Sequence, residues 1–127
     1  MRPVGLLALA LLALALLAPV PVLVPGAFAH AFLERASPAV GSEVAASPPE
    51  VSISFTEGVE PLFSKIEVNS PDGTAIETGK PHVAPGNERR LIVTLPKLPP
   101  GTYTVIWHAT SVDTHKTEGS YKFTVTH

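Results

Sequence analysis

The stretch GTYTVIWHATSVDTHKTEGSYKFTV, residues 101–125, decides the fold class. Large side chains recur at every second position near its two ends: Tyr103, Val105 and Trp107 in the first part, and Tyr121, Phe123 and Val125 in the last. Because a strand directs alternate side chains to the same face, both ends are predicted to be strands with one buried side. The polar segment 111–119 is predicted to join them.

The same two-residue period continues upstream, where it predicts further strands at 51–55 (VSISF), 65–68 (KIEV) and 91–95 (LIVTL). Turn signals follow at 70–73 (SPDG) and 98–101 (LPPG). No segment after residue 30 keeps a 3.6-residue apolar period. We therefore expect an all-β domain, an antiparallel sandwich or small barrel of about seven strands. The one long irregular segment is expected at 78–89.

Composition limits the function classes. The chain has 127 residues, and Arg2 is the only charged residue among the first 29, so residues 30–127 carry 8 basic and 11 acidic side chains. Those 98 residues are enough for one domain with one core, which excludes a two-domain enzyme. The acidic balance and the lack of a basic stripe argue against nucleic acid as a partner.

The first 29 residues have the pattern of a secretory signal. A positive start is followed by the apolar run 6–18, and small residues precede a cleavage site after Ala29. We therefore predict a signal peptide at 1–29, a mature domain at 30–127, and a periplasmic or otherwise exported location. Two alternatives stay open: cleavage after Ala31, which would remove His30, and an uncleaved membrane anchor.

The mature chain has no soft metal donors. It contains no Cys, and Met1 is the only Met. Disulfides therefore do not hold the fold together, and any bound metal must take nitrogen and oxygen ligands, which disfavours a Cu(I) site.

Three residues together suggest a metal site. Asp113 and His115 are two apart and share a face in extended backbone, although a plain polar loop would also explain them. His30, as a new N-terminus, would offer its imidazole and an α-amine whose pKa is ~7.7–8.0. Together they supply three nitrogens and one oxygen, a set that suits one tetragonal Cu(II) ion.

The sequence here resembles the CopC family of exported copper-resistance proteins. The resemblance is carried by residues 30–34 (HAFLE), 37–42 (SPAVGS), 55–59 (FTEGV), 101–107 (GTYTVIW), 111–115 (SVDTH) and 119–123 (GSYKF). It implies a Greek-key β-barrel or sandwich of immunoglobulin or cupredoxin-like shape, with Cu(II) held by the terminal amine, His30, Asp113 and His115. It also implies a place for Glu57 behind the ligands, where its carboxylate could orient the amine.

The sequence departs from part of that family in the segment 78–89. Relatives with a second, Cu(I) site carry several Met and a His there, whereas this chain has His82 and no Met. We therefore expect one Cu(II) ion and no Met-rich Cu(I) site, with His82 a solvated loop residue. His108 neighbours Trp107 and is predicted to face away from the core.

These features favour a copper carrier without catalytic turnover. It would act in resistance, sequestration or delivery, with a separate inner-membrane transporter of the CopD type as partner, and we expect a monomer. One alternative is a copper-brace oxidative enzyme of the polysaccharide monooxygenase type, because such enzymes also use a terminal amine and two imidazoles. Another is a metal-free adhesion module. Classical hydrolysis is disfavoured, because Ser111, Asp113 and His115 are too local to form a triad.

Overall fold

The structure, a computed structural model, describes residues 30–127. The predicted signal peptide at 1–29 lies outside the described residues. Nine strands follow one another along the chain: β1 (Leu33–Ser37), β2 (Glu43–Val44), β3 (Glu50–Phe55), β4 (Lys65–Asn69), β5 (Ala75–Ile76), β6 (His82–Ala84), β7 (Asn87–Thr94), β8 (Gly101–Thr110) and β9 (Lys116–Val125). A single 3-10 turn, Pro61–Phe63, precedes β4. Within 30–127, no helix is both long and apolar enough to cross a bilayer.

The strands form two sheets that pack face to face. One has four strands in the order β1-β3-β7-β6, and the other has five in the order β2-β9-β8-β4-β5. This confirms the predicted all-β sandwich, and the two sheets do not close into a barrel. Nine strands are present where about seven were expected, since β2 and β5 are two-residue pairings too short for an alternating pattern. β2 also runs parallel to β9, unlike the other pairs.

The two longest strands, β8 and β9, pair over ten residues each, from Gly101 opposite Val125 to Thr110 opposite Lys116. Their predicted inward side chains are buried, and Trp107 meets Phe55 of the other sheet edge to face at a centroid distance of 5.2 Å. His108 faces outward as predicted, and its Nδ1 lies 3.2 Å from a carboxylate oxygen of Glu118 on β9.

Only residues 78–81 of the segment 78–89 are irregular, so the expectation of one long irregular segment was wrong. The segment contains β6 and the start of β7, which form a hairpin around Pro85 and Gly86. Gly86 has φ of 72°, a left-handed conformation that glycine adopts without steric cost and that reverses the chain. His82 is exposed as expected, but it lies on strand β6 and not in a loop, so that part of the prediction was wrong.

Each outer strand of the two sheets is short or distorted. β2 and β5 have two residues each and β6 has three. β1 is longer, but its pairing with β3 shifts register between Leu33 and Arg35, which marks a β-bulge. As a result, Leu33 packs against the core while Arg35 is exposed.

Gly119 sits opposite Trp107 in the β8–β9 ladder, and a Cβ there would lie 2.6 Å from the indole Cζ2. Since the indole is packed in the core, Gly119→Ala is expected to lower the free energy of unfolding by about 1–3 kcal/mol. Urea unfolding followed by Trp107 fluorescence measures the change. Ser120→Ala, at the exposed neighbouring position, is the control and should change stability little. Equal stability of the two variants would contradict this packing.

Candidate metal centre

The loop between β8 and β9 is shorter than predicted and is folded around one serine. Ser111 is 1% exposed, and its N–H donates to the carbonyl of His115 at 2.9 Å. The N–H of His115 in turn donates to the Ser111 hydroxyl at 3.2 Å, and Thr114 turns the chain with φ of 74°. The predicted pair Asp113 and His115 is therefore held in a five-residue hairpin loop, 111–115.

Within this loop Asp113 and His115 are in direct contact. The carboxylate Oδ1 of Asp113 lies 3.3 Å from Nδ1 of His115 and accepts a hydrogen bond from the Ser111 hydroxyl. Donation by Ser111 is the main reason that the pKa of Asp113 lies below its usual value, with a smaller lowering from His115. Asp113 is thus a carboxylate anion at neutral pH, the form that ligates a cation.

His30, the first described residue, lies beside the 111–115 loop. Its ring stacks on the ring of His115, with centroids 4.7 Å apart and planes inclined by 28°. The next residue, Ala31, is completely buried in the core. The start of the described chain is therefore anchored beside the 111–115 loop.

Two threonines hold that anchor. Thr56 donates its hydroxyl to the carbonyl of His30 at 3.1 Å and accepts from the N–H of Phe32 at 3.0 Å. Thr117, on β9, donates its hydroxyl to the carbonyl of Ala31. Thr56, directly after β3, and Thr117 on β9 thus fasten the two peptide groups that follow His30.

Glu57 belongs to a segment that contacts the 111–115 loop. It follows Thr56 directly and is half-buried. The same segment is hydrogen-bonded to the 111–115 loop, because Val112 donates its N–H to the carbonyl of Gly58 at 3.0 Å and Val59 forms a bridge with Ser111. Glu57 therefore lies between two points that are tied to the candidate ligands, and its action on the terminal amine stays a prediction.

The structure brings His30, Asp113 and His115 together, but it does not aim them at one point. Among residues 30–127, no group of three or more His, Cys, Asp or Glu side chains is arranged to hold a metal ion. The stacked rings explain this, since stacking sets the imidazoles face to face. Neither His82 on β6 nor His108, paired with Glu118, belongs to the group. The donor chemistry, imidazole nitrogens with a carboxylate, still fits Cu(II).

Sequence reasoning missed the residues that position His30. Thr56 lies inside the motif FTEGV, residues 55–59, in which only Glu57 was predicted to have a role. Thr117 follows His115 by two residues. The inward face of β9 could have indicated Thr117 through its alternation with Gly119 and Tyr121. Nothing in the spacing indicates that its partner is the carbonyl of Ala31.

The family model of the CopC domain matches residues 33–126, nearly all of the described chain. The chain belongs to the CopC family. The expected resemblance is thereby confirmed, and it relates this CopC domain to copper resistance.

Known CopC relatives agree with the fold. Protein YobA of Escherichia coli (strain K12) is 42% identical over 102 residues, which cover 80% of this chain and 82% of that protein. The crystal structure of CopC from Methylosinus trichosporium OB3b matches with a TM-score of 0.73 and 37% identity, covering 76% of this chain and 94% of that one. PcoC from Escherichia coli, described as a methionine-rich copper resistance protein, matches at 0.69 and 30%, covering 76% and 99%.

Thr56→Val tests the anchor of the CopC domain. The change removes a hydroxyl that both donates to His30 and accepts from Phe32, so it should cost about 1–2 kcal/mol of unfolding free energy and speed hydrogen exchange at the Phe32 amide. Thr56→Ser keeps the hydroxyl and is the matched control. Native-state amide exchange by NMR measures both. Unchanged protection at Phe32 in the valine variant would refute the tether.

Ser111→Ala tests the ionisation of Asp113. A depressed pKa stabilises the fold above the unfolded-state pKa, and this contribution is lost as pH falls through the folded value. Removing the Ser111 hydroxyl should raise the pKa of Asp113 toward its unfolded-state value, so this contribution should become smaller and its loss should be complete at a higher pH. NMR titration of the side-chain carboxyl measures it.

A matched control for this titration is Ser70→Ala. The hydroxyl of Ser70 holds the pKa of Asp72 at about 2, so this change should raise the Asp72 pKa and leave Asp113 unaltered. An Asp113 titration that is identical in Ser111→Ala and in the parent chain would show that another group sets its ionisation.

Proposed function

We propose that this CopC domain is an exported copper carrier that holds one Cu(II) ion as cargo. The ligands would be the α-amine and imidazole of His30, the carboxylate of Asp113 and the imidazole of His115. The observation that carries the proposal is the stacking of His30 on His115 of the β8–β9 loop, with ring centroids 4.7 Å apart. Membership of a copper-resistance family supports copper as the metal.

The chemistry of these groups suits Cu(II). An amine and an imidazole of one residue form a chelate, and the amine meets only modest competition from protons at neutral pH because its pKa is ~7.7–8.0. Asp113 adds a negative charge that Ser111 already stabilises. With no Cys and with Met1 as the only Met, the chain favours Cu(II) over Cu(I).

The anchor of residues 30–32 supports the same function. A chelating N-terminus that had to be ordered on binding would lose affinity to conformational entropy. Here the burial of Ala31 and the hydrogen bonds that Thr56 and Thr117 form with residues 30–32 already fix the backbone. We assign Glu57 the role of orienting the amine by a hydrogen bond, since its segment is fastened to both sides of the site.

In the cell, such a carrier would act in copper resistance, either by sequestering the ion or by passing it to a separate CopD-type transporter in the inner membrane. The proposed route requires export and cleavage after Ala29, which exposes the His30 amine. PcoC is described as a copper resistance protein, and the CopC family lends no support to the monooxygenase alternative.

Three variants of the mature chain test the ligand set: His115→Ala, Asp113→Ala, and a form with Ala29 retained before His30. Each removes or displaces one donor and should weaken Cu(II) binding by at least about tenfold, with a changed visible spectrum. Isothermal titration with Cu(II) and electron paramagnetic resonance measure affinity and ligand field. Binding should also fall as pH drops and the nitrogens protonate.

His82→Ala provides the control, since His82 is an exposed histidine on β6 outside the site and its loss should leave the first equivalent of Cu(II) unaffected. If the Ala29-extended form binds Cu(II) with the same affinity and spectrum, the amine is not a ligand. If His115→Ala and Asp113→Ala also bind as the parent does, the whole assignment is wrong.

A further inference from the structure

The outer face of the four-stranded sheet carries a cleft of about 280 Å³ that the copper function does not use. Six of its seven lining residues are polar: Arg35, Ser37, Ser52, Ser54, Asn87 and Arg90. All six side chains carry hydrogen-bond donors, and two are permanently cationic. A cleft with this lining is suited to an anion rather than to an apolar ligand.

The strand register arranges these side chains in two rows. Arg35 of β1 is opposite Ser54 of β3, which is opposite Arg90 of β7. Because neighbouring strands are ~4.8 Å apart, the two arginines flank one serine hydroxyl across roughly 10 Å. In the adjacent row Ser37 is opposite Ser52. The bulge in β1 places Arg35 on this outer face.

Existing hydrogen bonds leave the donors directed at the cleft. Nη2 of Arg90 donates to the Ser52 hydroxyl at 3.3 Å, a bond that uses an oxygen lone pair and not the hydroxyl proton. Ser52 is itself only 4% exposed. Asn87 also lines the cleft, and because its Oδ1 accepts from the N–H of Arg89 at 3.1 Å, its NH₂ group is the end with hydrogen-bond donors.

One acidic group faces this row. Glu50, on the same face of β3, has a carboxylate oxygen 3.7 Å from Nη2 of Arg90. At that length the pair is a loose ion pair on a surface, where such pairs contribute little. The Glu50 carboxylate therefore neutralises the charge of Arg90 only in part and leaves the charge of Arg35 available to a ligand in the cleft. An oxyanion with several oxygens could accept from both guanidinium forks and the serine hydroxyls at once.

From this geometry we propose that the cleft binds a phosphate-type tetrahedral oxyanion. The ligand is either free inorganic phosphate or the phosphate group of an anionic lipid headgroup, since both present the same oxygens. A volume of 280 Å³ holds such an ion together with several waters, each of which takes ~30 Å³. The site is independent of the copper ligands, which lie at the 30–32 and 111–115 segments.

NMR titration of the mature chain with inorganic phosphate, at constant ionic strength set by chloride, tests the proposal. Saturable shifts are expected for the amides of β1, β3 and the start of β7. Arg35→Gln and Arg90→Gln should each weaken phosphate binding by about tenfold, because each removes charge-assisted hydrogen bonds. Glu50→Gln should strengthen binding, since it frees Arg90 from its competing carboxylate.

Sedimentation with vesicles identifies the source of the phosphate group. Binding to phosphatidylglycerol vesicles but not to phosphatidylcholine vesicles, lost in Arg35→Gln, assigns the headgroup. Binding of inorganic phosphate without vesicle binding assigns the free ion. Shifts that stay linear with phosphate, or that are equal in the Arg35→Gln/Arg90→Gln double variant, together with no Arg35-dependent vesicle binding, overturn the proposal.

Copper titration of the same variants separates this site from the proposed carrier function. Arg35→Gln and Arg90→Gln should bind Cu(II) with the parent affinity and spectrum, because neither residue touches His30, Asp113 or His115 in the described contacts. Loss of Cu(II) binding in these variants would show that they disturb the fold and not a separate site. The native amide spectrum of each variant is recorded first.

Discussion

The pairing of β8 with β9 over ten residues is the constraint on which the candidate metal centre depends. It closes the 111–115 loop, so that Ser111 is buried and Asp113 meets His115. It also carries Thr117 to the carbonyl of Ala31. The opposite sheet contributes Thr56, which holds the carbonyl of His30. The site therefore forms where both sheets fasten one peptide segment, and it is only as rigid as their packing.

In this arrangement the candidate ligand side chains are distinct from the groups that fix their backbone. The side chains that would meet a metal lie in a hairpin loop and at His30, the predicted start of the mature chain, and loops and chain ends are the more mobile kinds of segment. Their backbones, however, are tied to the core through hydroxyl groups and through the buried Ala31. The two imidazoles are stacked with centroids 4.7 Å apart on this fixed backbone.

Much of the fold could be predicted from two-residue periodicity, because burial of one face imposes that pattern on β3, β8 and β9 directly. The hairpin of β6 and β7 could not, since Pro85 and Gly86 suggest an irregular loop while in fact they form a tight turn. A strict two-residue alternation likewise does not predict the bulge that turns Arg35 outward.

The ligand candidates His30, Asp113 and His115 were accessible from residue chemistry and from resemblance to the CopC family. The bonds that position them were not. A hydroxyl such as that of Thr56 finds its acceptor 26 residues away in sequence, and neither residue carries a signature of that pairing. These hydrogen bonds follow from the packing of the two sheets.

The short and bulged outer strands have a consequence for the chain outside its functional sites. A sheet edge with unpaired backbone groups can recruit a strand from a second molecule and start an amyloid-like ladder. An added strand could form few backbone hydrogen bonds with these edges, because β2, β5 and β6 have only two or three residues and β1 is interrupted by a bulge. A domain rich in β-structure and free of disulfides is thereby protected against edge-to-edge aggregation.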